Sequence, residues 1–168
     1  MDYLWSPWRY RYLTDTAKPE GCIFCTMAIA PTSSAQDEEF LIVYRGAFNF
    51  VVLNRFPYTS GHLMVVPYRH VPDLSGLDGE AAADLMAVTR TSERHLRAVY
   101  RPDGLNLGMN IGESAGAGIA GHIHMHVLPR WTGDANFMTT VGETRVLPEE
   151  LTVTWRRLKE EFAREPGN

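Results

Sequence analysis

The chain has 168 residues, 45% hydrophobic and 21% charged, with a formal net charge of −4. That length suits one domain able to bury most of its apolar surface. The acidic balance argues against a general nucleic-acid binder but not against a small anion held by imidazole, arginine and backbone N–H groups.

From the N-terminus, residues 1–13 (MDYLWSPWRYRYL) mix aromatics with arginines and lack a continuous apolar run, so they do not read as a signal peptide. No apolar stretch reaches the roughly 18 residues that a membrane span needs. Cytoplasm is the expected location. One domain is expected over 1–168, with an aromatic N-terminal segment at about 1–20 and a C-terminal helix at about 148–165. Cys22 and Cys25 are too close for an ordinary structural disulfide and too few for a disulfide framework. A redox pair and a metal knuckle that draws two further ligands from elsewhere both remain open.

Residues 31–39 (PTSSAQDEE) read as a polar loop, followed by strand-like runs at 40–45, 48–53 and 62–67. The short Arg45-Gly46-Ala47 link suits a hairpin, and FPYTSG at 56–61 is a turn-rich connection, so the three runs form an antiparallel meander. A helix is predicted over 78–100: Asp78 caps it, and Leu85, Val88, Ser92, Leu96 and Val99 recur at three- and four-residue steps. His95, between Arg94 and Arg97, reads as solvated. Arg101-Pro102-Asp103-Gly104 stops the helix before a short strand at 105–110. Four glycines at 112, 116, 118 and 121 then lead into a histidine-rich strand. A last helix begins near Pro148, with Leu151, Trp155, Leu158 and Phe162 as its packing stripe. Strands in a run with one long inserted helix give an α+β fold.

Residues 121–130, GHIHMHVLPR, hold three of the chain's six histidines at alternate positions. On a strand His122, His124 and His126 share one face, about 7 Å apart, and Ile123, Met125 and Val127 share the other. Imidazoles titrate near neutral pH and serve as base, acid, nucleophile or metal ligand. The glycine segment before them suits a backbone N–H cradle for phosphate. There is no Walker loop and no dinucleotide fingerprint opening a helix, which argues against motor ATPases and hydride transfer. No carboxylate cluster suggests a two-magnesium site. A histidine on a rigid strand beside oriented N–H donors is suited to attack phosphorus.

GHIHMHVLPRW at 121–131 resembles the signature of the histidine triad superfamily of nucleotide hydrolases and transferases. FVVLNR at 50–55, GHLMVVP at 61–67 and NIGESAGAG at 110–118 resemble the fragile-histidine-triad branch, especially its bacterial diadenosine tetraphosphate phosphorylase-like members. WSPWR at 5–9 and WTGDANF at 131–137 resemble the same subgroup. The resemblance implies an antiparallel sheet of about five strands with one long helix and a C-terminal helix.

It also implies roles. His124 is the nucleophile that takes the nucleotidyl group, His126 sits by the phosphates, and His62 orients the catalytic imidazole. Asn54 holds the ribose or, alternatively, caps a turn. Phe48, Phe50 and Leu53 line the base pocket or pack in the core. Asn110, Gly116, Gly118 and Ile119 belong to the nucleotide-binding segment. Gly118 and Ile119 stand where many relatives carry Ser, Thr or Gln, so backbone N–H groups would replace a side chain there. Cys22 and Cys25 with His70 and His122 match a structural zinc set of related proteins, closed to substrate. Diadenosine polyphosphates are the implied substrates and water or inorganic phosphate the acceptor. A sheet-extending homodimer is implied, with Trp131 and the aromatic ends as interface surface. Phosphoramidate hydrolysis and non-catalytic nucleotide sensing remain the alternatives.

Overall fold

The computed structural model describes residues 21–141 and 149–164. The aromatic N-terminal segment, the helix start expected near Pro148 and the last four residues lie outside them. The elements are α1 (Ile23–Ile29), α2 (Ser34–Phe40), β1 (Ile42–Arg45), β2 (Asn49–Leu53), β3 (Leu63–Pro67), α3 (Gly79–Tyr100), β4 (Gly104–Gly108), β5 (Met125–Arg130), the short α4 (Phe137–Thr140) and α5 (Leu151–Arg164). The strands form one antiparallel sheet in the order β1-β2-β3-β5-β4. The fold is α+β as expected.

The hairpin between β1 and β2 closes where the Gly46 N–H donates to the Asn49 carbonyl at 2.9 Å. In α3, an Asp78 carboxylate oxygen accepts the Ala81 N–H at 2.8 Å, which satisfies one free donor of the first turn. Arg101 adopts a left-handed conformation (φ 47°) and returns its N–H to the Arg97 carbonyl, ending the helix before Pro102. Helices α3 and α5 cover one face of the sheet: the Trp155 indole N–H donates to the Ile42 carbonyl at 3.0 Å, and Asn49 Nδ2 donates to Asp84 and to the Ala81 carbonyl. Leu85, Leu96, Leu158 and Phe162 are buried between these layers.

Three expectations are corrected. Residues 34–40 form a helix, not a polar loop, and Phe40 ends it rather than starting a strand. The Ser33 hydroxyl caps α2 by accepting the Gln36 N–H. The carboxylate of buried Asp37 is held by Arg45 at 2.9 Å and Lys159 at 2.7 Å. Charged letters thus hide an inward face. Helix α1, which begins just after Cys22 and contains Cys25, has no counterpart in the pattern of the sequence. His95 is not solvated: it is 1% exposed, packs 4.3 Å from the Phe162 ring, and has its Nδ1 3.8 Å from Glu161. It lies three residues after Ser92 on the buried face, and its arginine neighbours point elsewhere.

Register fixes which side chains share the other face. Val52 pairs with Met64, and Met64 with His126. His62, two residues before Met64, is on the same side as His126. Along β5 buried and half-buried residues alternate from Met125 to Arg130, which puts Val127 in the core and leaves His126 half open. The expected period-two pattern holds there, although His122 and His124 precede the strand proper.

Candidate active site and metal centre

Five histidines and two cysteines gather beside the β3–β5 seam, opposite α3 and α5. Helix α1 crosses this face, and Phe24 packs 5.4 Å from the His122 ring and 5.0 Å from the His124 ring. The backbone determines how each imidazole carries its proton, because an N–H can only donate and a carbonyl can only accept.

His124 Nδ1 lies 2.9 Å from the His122 carbonyl, so that nitrogen holds the proton and donates it. Nε2 is left with the lone pair. Burial lowers the His124 pKa, partly offset by this hydrogen bond, and keeps the ring neutral and nucleophilic. His62 is fully buried, and its Nδ1 accepts the Tyr58 N–H at 3.2 Å. Its proton is therefore on Nε2, which donates to His126 Nδ1 at 2.8 Å. That in turn places the His126 proton on Nε2. His124 and His126 meet edge to face, 4.8 Å between centroids. The pair thus presents one nitrogen lone pair and one N–H donor. The hydrogen bond of His62 goes to His126, not to His124 as expected; the register opposite Met64 sets His126 beside it, while His124 is held by the chain itself.

Burial, and the neighbouring His124, push the His126 pKa down to about 4. The unfolded ring titrates near pH 6.5. Between these values the unfolded chain binds the extra proton, so stability should fall as pH drops from about 6.5 toward 4, with no contribution from this group above pH 7. Urea midpoints measured across pH 4–8 test the sign. A flat or rising profile toward acid in the wild type, or an unchanged slope in His126→Gln, would contradict it.

The second cluster is Cys22, Cys25, His70 and His122, whose ligand atoms all lie within 4.8 Å of one another. His122 Nε2 donates to the Pro67 carbonyl at 2.8 Å, which leaves Nδ1 free as a ligand. From His122 Nδ1, Cys22 Sγ is 3.4 Å, Cys25 Sγ 3.7 Å and His70 Nδ1 3.3 Å away; Cys25 Sγ is 3.2 Å from His70 Nδ1. Tetrahedral zinc with ordinary bond lengths spaces S–N ligand pairs by about 3.5 Å and N–N pairs by about 3.3 Å. These four distances fit a metal ion, and four donors are the number that a tetrahedral site takes.

Other expected residues divide. Asn54 Oδ1 accepts the Phe56 N–H at 3.0 Å and Nδ2 lies 3.3 Å from His62 Nδ1, so the turn-capping alternative is realised and the amide also contacts the relay. Phe50 and Leu53 are 0% and 2% exposed, and Phe50 packs against Tyr68. Both pack in the core, because β2 lies inside the sheet and is covered on both faces, so the core-packing alternative is realised, with Leu53 also at the wall of the cleft described below. Phe48, at 38% exposure, stays open to a ligand. Asn110 Nδ2 reaches the Gly116 carbonyl at 3.4 Å, and Gly116 takes φ +88°, a conformation that disfavours a side chain. Gly118 is exposed, and Ile119 packs partly against the core. Trp131 meets Tyr100 edge to face within the chain.

A cleft of about 440 Å³ is lined by Leu53, Ser60, His62, Glu149 and Thr154, among others. Its described lining omits His124 and His126, so the chemistry is argued from the histidines rather than from that cleft. No helix among the described residues is long and apolar enough to cross a membrane.

Comparison with known proteins agrees with this geometry. The HIT domain family model matches residues 36–133. The AP-4-A phosphorylase of Mycobacterium tuberculosis is 44% identical over 169 residues, covering 99% of this chain and 87% of that protein. A Zn-bound histidine triad family protein from Mycobacterium smegmatis superposes with a TM-score of 0.67 at 27% identity, covering 86% and 94% of the two chains. A Plasmodium falciparum diadenosine triphosphate hydrolase shares the fold, with a TM-score of 0.62 at 14% identity over 76% and 79%. With the matched domain spanning the sheet and the histidine ladder, the chain belongs to the HIT, or histidine triad, family.

Proposed function

We propose that this protein is an enzyme that cleaves dinucleoside polyphosphates, with diadenosine tetraphosphate as its substrate, through a nucleotidyl-histidine on His124. The observation that carries the reading is the hydrogen-bond pattern: the His122 carbonyl at His124 Nδ1 leaves the lone pair on His124 Nε2, and the His62–His126 bond puts the proton on Nε2 of His126, whose ring lies 4.8 Å from that of His124. His124 Nε2 attacks the α-phosphorus, an N–P bond forms, and the P–O bond to the remaining nucleoside polyphosphate breaks. The leaving oxygen departs as a phosphate anion and needs no proton. His126 donates a hydrogen bond to the phosphate oxygens, and His62 holds it in that tautomer. The His124 ring, cationic once esterified, keeps its Nδ1–H on the His122 carbonyl. An acceptor oxygen then attacks phosphorus, the N–P bond breaks, and its electrons return to Nε2. Where water is the acceptor, its proton passes to solvent.

The M. tuberculosis relative named AP-4-A phosphorylase supports inorganic phosphate as that acceptor. Asn110, Gly116, Gly118 and Ile119 are proposed to line the phosphate path, and Phe48 with Asn54 the nucleoside. Zinc is the proposed metal at Cys22, Cys25, His70 and His122, supported by the zinc-bound relative and by the ligand spacing. When bound, zinc supplies a structural crosslink between α1 and the chain leading into β5. A single domain, a homodimer and a cytoplasmic location complete the reading.

Incubation with diadenosine tetraphosphate, with and without phosphate, tests the reaction. ADP plus ATP formed only with phosphate is the expected result. AMP plus ATP in phosphate-free buffer would assign hydrolysis instead, and no cleavage under either condition would remove the enzymatic reading.

A further inference from the structure

The connection between β2 and β3 carries an aromatic side chain that the reaction above does not use. Tyr58 belongs to the turn-rich FPYTSG segment and is 37% exposed, so one side of its ring faces solvent while the other is free to pack inward. While its backbone N–H donates to His62 Nδ1, its ring turns back over the same imidazole, 4.8 Å between centroids and tilted by 45°. The ring also lies 6.2 Å from the His126 ring, with only 28° between the planes. One side chain therefore spans both partners of the 2.8 Å His62–His126 hydrogen bond. Asn54 anchors the start of the loop through the Phe56 N–H, so the backbone that presents Tyr58 is itself held.

We propose that Tyr58 is a positioning residue whose ring covers the His62–His126 hydrogen bond, excludes water from it and so keeps the His126 proton on Nε2. This rests on the reading of His124 and His126 as the reacting pair. The His62 Nε2–H can only donate, but a water admitted between the two imidazoles can donate or accept, so it would also tolerate a proton on His126 Nδ1 and weaken the selection of the tautomer. The ring also removes bulk solvent from one side of His126. Its other ring neighbours are His62 and His124, and Met64 is its β3 partner.

Tyr58→Phe, Tyr58→Ala and Tyr58→Leu test the proposal, alone and combined with His62→Leu. Phe keeps the ring and should retain wild-type kcat. Ala and Leu should lower kcat about tenfold with KM within about twofold, a part of the effect expected for disturbing an acid–base or hydrogen-bonding group. In the His62→Leu background the same changes should add less than about twofold, because leucine has no donor and the bond that Tyr58 covers is already gone. In ligand-free protein, imidazole ¹⁵N spectra should show partial protonation of His126 Nδ1 in the Ala and Leu variants, with its titration midpoint raised by about one pH unit. Raised KM at unchanged kcat, full additivity with His62→Leu, or unaltered His126 resonances would each overturn the proposal. If the wild type cleaves no dinucleoside polyphosphate, the functional reading fails while the spectra still judge the positioning role.

Discussion

Replacing His124 with Asn should lower turnover of diadenosine tetraphosphate at least about a thousandfold while leaving binding within a few-fold. The asparagine amide can still donate to the His122 carbonyl, so the chain entering β5 keeps its support. What disappears is the lone pair at Nε2, and with it the first displacement. His126 cannot substitute: its Nδ1 accepts from His62, and its Nε2 carries the proton. Single-turnover rates and equilibrium binding of the uncleaved dinucleotide separate the two effects. Residual turnover within tenfold of wild type would mean that another group attacks phosphorus. Equal loss of binding would mean that the substitution disturbed the site rather than the chemistry.

Removing the metal is the second large effect. Cys25→Ser, or chelation of the purified protein, should lower Tm on the order of 10 °C, since bound structural zinc contributes directly to folding free energy. Turnover should fall as well, for a geometric reason. His122 offers Nδ1 to the metal cluster, donates Nε2–H to Pro67, and gives its carbonyl to His124 Nδ1. One residue thus links the metal site to the nucleophile without touching substrate. Elemental analysis beside thermal melts checks the first part, and kcat of the chelated protein below its melting range checks the second. A protein purified with far less than one zinc per chain, yet fully stable and active, would remove zinc from the account.

The sequence carried the parts of this architecture that depend on periodicity. Helix α3 was legible from its cap at Asp78 and its apolar steps from Leu85 onward, and the antiparallel meander from short runs separated by turn residues. The ladder of alternate histidines showed that imidazoles would face a common site. Periodicity did not show which partner each ring would choose. His122 leaves the catalytic face to join the cysteines, and His62 bonds to His126, because strand register and helix α1 decide those contacts across about 60 to 100 residues of chain. Phe50 and Leu53 show the limit on β2: alternation assigns faces, but a strand covered on both sides buries each of them. Asp37 and His95 failed for the opposite reason. Their letters suggest solvent, and burial becomes visible only when Arg45, Lys159 and Phe162 arrive from distant elements. Tyr58 gives no periodic signal because it sits among turn residues, although its spacing of four before His62 allows its backbone to reach that ring.

Rapid quenching during the first turnover with labelled diadenosine tetraphosphate, followed by peptide mapping under alkaline conditions, tests the central claim most directly. The account predicts AMP joined through nitrogen to His124, formed before product release and discharged on addition of phosphate. A nucleotide attached to His126 or His62, or turnover with no protein-bound nucleotide at any time, would contradict it.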